Sequence, residues 1–388
     1  MWFCLWLLVS AAFADLAFVG TVPNGSLVLR PANGQQLLIA GADFRALVEK
    51  LNMLETQVET FTQQPCAVAT DTTTITVEGN FVKWQGEVLA GNGKIYGIPF
   101  NSASVLIIDP TTNTVDTTTI TGFSGSGNWA GGVLAGNGKI YGIPNQSPAV
   151  LIIDPTTNTV DTTTIVGMTS AQKWRGGVLA DNGKIYGIPD NSASVLIIDA
   201  TTNTADTTTI TGLTSASLKW WGGVLAGNKI YCIPFNSNLV LIIDPTTDTT
   251  DTTTMTGLSG NEKWCGGVLA GNGKIYGIPY SSASVLIVDP TTNTADTTSI
   301  IGSSAYGKWT GGVLVDSGKI YGIPRYSTSG LIIDPATNTA DTTTITGLTG
   351  GDKWAGGVLA DNGKVYATPS VSTSVLIIYQ FCGYTKRL

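Results

Sequence analysis

Residues 83–122 read KWQGEVLAGNGKIYGIPFNSASVLIIDPTTNTVDTTTITG, and this pattern recurs almost to the end of the 388-residue chain. Its tryptophan returns at intervals of 45, 45, 46, 44, 45 and 45 residues, at Trp84, Trp129, Trp174, Trp220, Trp264, Trp309 and Trp354. The longer and the shorter interval are neighbours and cancel each other. A nearly gapless repeat of this length is typical of solenoids, propellers and repeat arrays.

Each copy carries the signals of four short strands. GGVLA is the first strand and ends at the hairpin turn NG, after which KIYGIP is the second. The apolar run SVLIID is the third, and the β-branched DTTTIT, after the turn DPTTNT, is the fourth. The sequence therefore predicts an all-β protein, a seven-bladed β-propeller of four-stranded antiparallel blades. A solenoid would need polar capping repeats, whereas the terminal copies here look like interior ones.

The segment SVLIIDPTTNTVDTTTITG (104–122) resembles the repeat of YVTN-type β-propellers, whose units carry an apolar run, an Asp, TNT and a Thr/Ile strand. The pairing of GG with a later Tyr and Trp is more loosely similar to kelch blades. The resemblance covers residues 71–380, but IYGIP stands where the YVTN-like segment belongs. It implies the fold and leaves the function open, because propellers serve as enzymes, lectins and scaffolds alike.

The last copy lacks its fourth strand, and a spare one precedes the first copy. We expect residues 71–77 to pair beside 374–380 and close the ring, which removes two exposed sheet edges. Aligned on the repeat, Cys66 and Cys382 fall on adjacent positions of one turn, so a disulfide between them is predicted. For Cys232 and Cys265, buried free thiols are favoured over a second bridge.

The N-terminal region is predicted to contain a signal peptide (1–14), a short β-rich segment (15–40) and an amphipathic, coiled-coil-like helix (41–63). They precede the propeller (66–382) and a tail (383–388). The helix has heptad spacing, which favours a self-associating stalk over a helix lying on its own propeller. The heptad positions are Phe44, Leu47, Leu51, Leu54, Val58 and Phe61. A signal peptide and a disulfide together indicate a secreted protein or one on the extracellular surface.

Composition excludes several functions. The chain has no histidine, so Ser-His-Asp triads and histidine-bound metals are ruled out. With a net charge of −7 and no basic run, no nucleic-acid partner is expected, and no segment after the signal is apolar enough to span a membrane. No cofactor and no metal are predicted, because the repeated Asp residues, such as Asp109 and Asp116, are interpreted as turn formers.

The loops on one face of the ring differ strongly between copies. This variable face is formed by the loops between strands two and three and by the loops between blades, whereas the NG and DPTTNT turns of the other face hardly change. Aromatic, Arg and Asp residues concentrate there, which favours ligand recognition over drift. The predicted ligand-binding residues are Gln85, Phe100, Arg175, Asp190, Trp221, Phe235, Tyr280, Thr310, Arg325 and Tyr326.

These features predict a non-catalytic module that recognises a protein or a glycan. The first alternative is a structural surface or coat protein, favoured if the stalk drives large assemblies. The second is an enzyme such as a carboxylate-based glycosidase. Away from the uniform turns, the acidic residues that this alternative would use are Glu87 and Asp190.

Overall fold

The structure is a computed structural model that divides into two compact units, residues 1–67 with 381–388, and residues 68–380. It describes residues 16–21, 27–31, 37–39, 61–63, 66–79, 81–169, 172–302, 304–381 and 384–386. Within these residues, no helix is long and apolar enough to cross a membrane.

The first unit contains two small antiparallel sheets. One has three strands, Leu16–Thr21, Leu27–Pro31 and Leu37–Ile39, in chain order. The other pairs Phe61–Gln63 with Tyr384–Lys386.

This pairing corrects the end of the predicted helix. Phe61 lies in a strand, because residues 61–63 pair in a ladder with the strand at 384–386, which also falls within the predicted tail. The other heptad residues, Phe44, Leu47, Leu51, Leu54 and Val58, lie outside the described residues, as does the predicted signal peptide.

The second unit is a seven-bladed β-propeller with four antiparallel strands in each blade, as the repeat predicted. The first strands of blades 1 to 7 are Trp84–Leu89, Trp129–Leu134, Trp174–Leu179, Trp220–Ala226, Trp264–Leu269, Trp309–Leu314 and Trp354–Leu359. The second strands are Ile95–Pro99, Ile140–Pro144, Lys184–Pro189, Lys229–Pro234, Ile275–Pro279, Ile320–Pro324 and Val365–Pro369.

The third strands are the apolar runs of the repeat. They are Leu106–Asp109, Leu151–Asp154, Leu196–Asp199, Leu241–Asp244, Leu286–Asp289, Leu331–Asp334 and Leu376–Phe381. The fourth strands of blades 1 to 6 are Thr114–Asp116, Thr159–Asp161, Thr204–Asp206, Thr249–Asp251, Thr294–Asp296 and Thr339–Asp341. In blade 7 the fourth strand of the sheet is Ala67–Asp71.

The fourth strand ends where the sequence predicted it to begin. Asp116 turns the chain out of the ladder, because its Oδ1 accepts hydrogen bonds from the backbone N–H groups of Thr118 and Thr119 at 2.7 and 3.0 Å. The chain rejoins the sheet at Ile120, whose carbonyl accepts from the Val105 N–H. The assignment of DTTTIT to a strand was therefore wrong, and the same shift places the spare strand at 67–71.

A ring of glycines lies where the first strands of neighbouring blades meet. Gly86 has a φ of 85°, and a Cβ built on it would lie 2.7 Å from the Cα of Gly131 in the next blade. A side chain at this position would therefore push the blades apart. The contact recurs around the ring, and Gly356 of blade 7 meets Glu87 of blade 1, so the first strands form a closed circle.

Apolar side chains from adjacent blades form shared cores. One cluster joins Val133, Tyr141 and Ile152 of blade 2 to Trp174 and Ile185 of blade 3, all of them buried. Each blade therefore contributes half of two cores, which explains why no copy of the repeat can bury its apolar surface alone.

The three cysteines within the described residues are in two states. Cys232 and Cys265 are buried free thiols, so no bridge joins them. Cys66 is disulfide-bonded. Its predicted partner, Cys382, lies outside the described residues, and the pairing stays a prediction.

Candidate binding face

Buried lysines hold the loops of the variable face in place. Lys263, just before Trp264, donates hydrogen bonds from Nζ to the carbonyls of Phe235, Ser237 and Gly260 at 3.0, 2.8 and 2.7 Å. Burial lowers the pKa of this lysine to about 8, so it is still largely charged at neutral pH. This lysine clamp ties the loop between two blades to the loop between strands two and three of the earlier blade.

Equivalent lysines recur around the ring and are all buried, at Lys83, Lys173, Lys219, Lys308 and Lys353. In blade 2 the lysine is replaced by Asn128, whose Nδ2 donates to the Ser124 carbonyl. Sequence reasoning missed these residues as parts of the face. The available signal was the Lys-Trp pair that opens most copies.

Trp221 is the centre of an aromatic cluster that joins several blades. The ring lies 4.1 Å from the guanidinium carbon of Arg175 and 5.7 Å from that of Arg325. Its centroid is 4.9 Å from that of Phe235 and 6.3 Å from that of Tyr280. Cation–π and aromatic contacts thus order side chains that come from blades 3 to 6.

Each arginine of this cluster is paired with one carboxylate. Arg175 Nε lies 2.9 Å from Asp190 Oδ2, and Arg325 Nε lies 2.5 Å from Asp352 Oδ1. Burial raises the pKa of Asp190, and the opposing effect of Arg175 only reduces the rise. Among the described residues, Nε is the only atom of either guanidinium with a hydrogen bond.

The aromatic cluster reaches the surface through two tyrosines. Tyr306 packs on Tyr280 with 5.6 Å between ring centroids, and Tyr326 packs on Tyr306 at 5.8 Å. Tyr306 is 61% exposed and Tyr326 is 40% exposed. Sequence reasoning missed Tyr306, although it stands in the variable loop SAYGK between blades 5 and 6. Together with Arg175, Trp221, Phe235, Tyr280 and Arg325, these tyrosines form what we call the Trp221 cluster.

A groove lies beside the exposed tyrosines, between blades 5 and 6. Its volume is about 490 Å³, and its walls combine Ile300, Ile301 and the two tyrosines with several hydroxyl groups, those of Ser282, Ser327, Thr328 and Ser329. Similar grooves at blades 3/4 and 4/5 are lined mainly by Ser, Thr, Asn and Gly, and their only aromatic residues are the buried Trp220 and Trp264.

Several predicted ligand contacts are buried. Phe235, Tyr280, Thr310, Asp190 and Gln85 are each less than 9% exposed. They pack against neighbouring blades, as when Thr310 Oγ1 lies 3.0 Å from Cys265 Sγ. These side chains therefore lie beneath the surface of the variable face and support its exposed loops. Gln85 and Phe100 belong to blade 1, whereas the residues of the Trp221 cluster come from blades 3 to 6.

Blade 1 departs from the repeat at Glu87. The other six blades have glycine at this position, and each of these glycines faces an isoleucine of the preceding blade. Glu87 instead faces Thr368 of blade 7. Burial raises the pKa of Glu87 to about 7, partly offset by the Thr368 hydroxyl. Glu87 Oε2 and Thr368 Oγ1 are buried, and neither makes a hydrogen bond of good geometry. The same is true of Ser370 Oγ in blade 7 and of Asn145 Oδ1 in blade 2.

In the part of the chain that the structure describes, no three His, Cys, Asp or Glu side chains gather where they could hold a metal ion. The two acidic residues of the glycosidase alternative differ in environment. Asp190 is paired with Arg175, whereas Glu87 lies between blades 7 and 1.

The fold and this face define a protein of the seven-bladed β-propeller class. Solved structures similar to the chain include streptogramin B lyase, with a TM-score of 0.64 and 11% identity over 81% of this chain and 98% of that one. Virginiamycin B lyase of Staphylococcus aureus has a TM-score of 0.64 and 10% identity, over 81% of this chain and 99% of that one.

The extracellular domain of a one-component system of B. thetaiotaomicron is also similar. Its TM-score is 0.59 at 10% identity, over 92% of this chain but only 45% of that one. At these identities the likeness shows the fold alone. No family model matches the sequence, and no curated protein matches it.

Proposed function

We propose that this protein is a secreted or cell-surface recognition module that binds a glycan or a protein on its variable face without catalysing a reaction. The observation that carries the proposal is the Trp221 cluster, in which buried or partly buried aromatic and arginine side chains support two exposed tyrosines. Such rigid aromatic residues beside arginine are typical of binding hot spots. No other group of loops on this face combines these features among the described residues.

Two features support recognition over catalysis. The chain has no histidine, and Asp190 is already paired with Arg175. The structurally similar proteins include lyases as well as the extracellular domain of a one-component system, so the fold admits both classes.

The extracellular location is part of the proposal. It is supported by the predicted signal peptide and by the disulfide-bonded state of Cys66, because disulfides persist in oxidising compartments. In the same proposal, the segment at 67–77 closes the ring through blade 7 and keeps the variable face rigid.

A glycan array and cell-surface extracts test the function. We expect the full chain to bind, and the Tyr306→Ala/Tyr326→Ala variant to lose at least about tenfold in affinity, because both rings are exposed ends of the cluster. The matched control is Lys139→Ala/Lys274→Ala, which removes two half-exposed lysines that pair with Asp154 and Asp289 at strand ends. Equal binding by wild type and the tyrosine variant would contradict the proposal. Absence of binding, with ordered sheets in the electron microscope, would favour the coat protein.

A further inference from the structure

We propose that the ligand of this face is an acidic saccharide, and that its carboxylate or sulfate group is bound by the Nη groups of Arg175 and Arg325. This inference rests on the proposed function, because it names the chemical class of ligand that the same face would take.

The two guanidinium groups are prepared for an anion. Each uses its Nε to hold a carboxylate and has its guanidinium carbon over an aromatic ring, so the remaining donors are positioned before a ligand arrives. The Nη groups have no hydrogen-bond partner in the described residues, and the side chains of Arg175 and Arg325 are 11% and 14% exposed, so part of each arginine meets solvent. Parallel Nη donors match the oxygens of a carboxylate or sulfate.

The charge around the cluster also favours an anion. The clamp lysines beneath these loops, Lys219, Lys263, Lys308 and Lys353, bind backbone carbonyls rather than carboxylates. With Arg175 and Arg325, these cations outnumber the carboxylates that interact with the cluster, which are Asp190, Asp352 and Glu262. This region is therefore electropositive in a protein whose net charge is −7.

The surface beside the arginines fits a sugar better than a peptide. Tyr306 and Tyr326 present exposed rings inclined at 54°, on which the C–H faces of sugar rings can stack. Hydroxyl groups line the adjoining groove, and its volume of about 490 Å³ lies in the range of ordinary ligand sites. A peptide that binds by strand addition would need an open sheet edge. The outer edge of each blade is its fourth strand, and no residue of the Trp221 cluster lies in a fourth strand; the fourth strand of blade 6 lines the groove only through Ala340.

Four polymers test the inference with the full-length protein in a calorimeter: polygalacturonate, dextran sulfate, neutral dextran and poly-L-glutamate. We expect at least one of the two acidic polysaccharides to bind. Neutral dextran and poly-L-glutamate should bind at least about tenfold more weakly than that polysaccharide. Comparison of polygalacturonate with dextran sulfate shows whether the site prefers a carboxylate or a sulfate group. Affinity should fall as salt is raised, because exposed charges are screened.

Matched variants connect that binding to the arginines. Arg175→Gln and Arg325→Gln should each weaken it about tenfold, whereas Lys274→Gln should leave it unchanged. Because Arg175→Gln leaves the buried Asp190 without its partner, Arg175→Gln/Asp190→Asn is the second variant and removes both charges together.

The outcomes separate this inference from the proposed function. Failure of both acidic polysaccharides, equal binding of neutral dextran or poly-L-glutamate, or unchanged affinity in the arginine variants would overturn the inference. If the array still detects a ligand lost in Tyr306→Ala/Tyr326→Ala, the proposed function stands with a ligand of different chemistry.

Discussion

Glu87→Gln should remove most of the pH dependence of stability between about pH 5 and pH 7.5. Glu87 lies between blades 7 and 1, where its carboxyl faces Thr368 and Gly356. In the six other blades a Cβ at this position would come within 2.7 to 2.8 Å of an isoleucine methyl group of the preceding blade. Thr368 replaces that isoleucine here and leaves room for the longer side chain.

The size of the effect follows from the pKa of Glu87, which burial raises from 4.5 to about 7. One pKa unit corresponds to about 1.4 kcal/mol, so ionising the buried carboxyl costs the fold about 3 kcal/mol. The folded-state pKa lies above that of the unfolded chain. Folding therefore binds a proton between the two values, and the free energy of unfolding falls as pH rises from about 4.5 to about 7.

Urea denaturation at about pH 5 and pH 7.5 measures the effect. Wild type should lose most of those 3 kcal/mol over this interval, and Glu87→Gln should lose much less. The turn aspartates, such as Asp116 with a pKa of about 2, titrate below this window. Asp190, whose pKa is raised, and the clamp lysines, with pKa values of about 8, contribute equally to wild type and Glu87→Gln, so the difference between the two proteins isolates Glu87. Glu87→Gly/Thr368→Ile restores the pair found in the other blades and should be insensitive to pH as well. An equal loss of stability in wild type and Glu87→Gln would refute the argument.

Three further substitutions, two of them with a matched control, test the ring. Cys66→Ser should melt at a lower temperature, and reductant should lower wild type to the same value, because a long closed loop contributes on the order of 5 kcal/mol by chain entropy; unchanged melting would argue against a structural bridge. Lys263→Met should destabilise the fold by about 2 kcal/mol in urea because it removes three hydrogen bonds to carbonyls, of which only that of Phe235 keeps a backbone N–H donor. Lys139→Met, at an exposed ion pair, should change stability by less than about 0.5 kcal/mol. Tyr276→Phe should cost about 1 kcal/mol because its hydroxyl bonds Asn338 and Asn272, whereas Tyr321→Phe should cost nothing, since that hydroxyl has no partner in the described residues; equal costs would contradict this account.

The unpartnered Tyr321 hydroxyl has a simple cause. In blades 1 to 5 the equivalent tyrosine bonds the turn between strands three and four of the next blade, as Tyr96 does with Asn158 at 2.9 Å. Blade 7 has no such turn, because its third and fourth strands come from opposite ends of the chain.

The fold could be predicted from the repeat because the same turns and apolar runs recur in seven copies, so an ambiguous signal in one copy is resolved by the others. The fourth strand was misplaced because β propensity alone does not register the turn that Asp116 makes with its own backbone. Phe61 was misassigned for a related reason. Its heptad spacing indicated a helix, and a distant strand at 384–386 determined its pairing instead.

For the binding face, comparison of the copies identified the correct positions but could not predict their exposure. Phe235 and Tyr280 are variable between copies yet buried, because whether a loop side chain faces solvent depends on the residue opposite it in the next blade. Tyr306 was overlooked because the loops between blades differ too much to align. The clamp lysines were overlooked because they hardly vary, and uniform positions were interpreted as structural.

The central claim is that ligands bind on the variable face, and hydrogen exchange of the full chain tests it most directly. The measurement compares free protein with protein saturated by the tightest ligand found on the array. We expect protection of amides in the loops at 211–219, 301–308 and 325–330, around the Trp221 cluster. Protection confined to the turns of the opposite face, such as 91–93 and 110–113, would contradict the account.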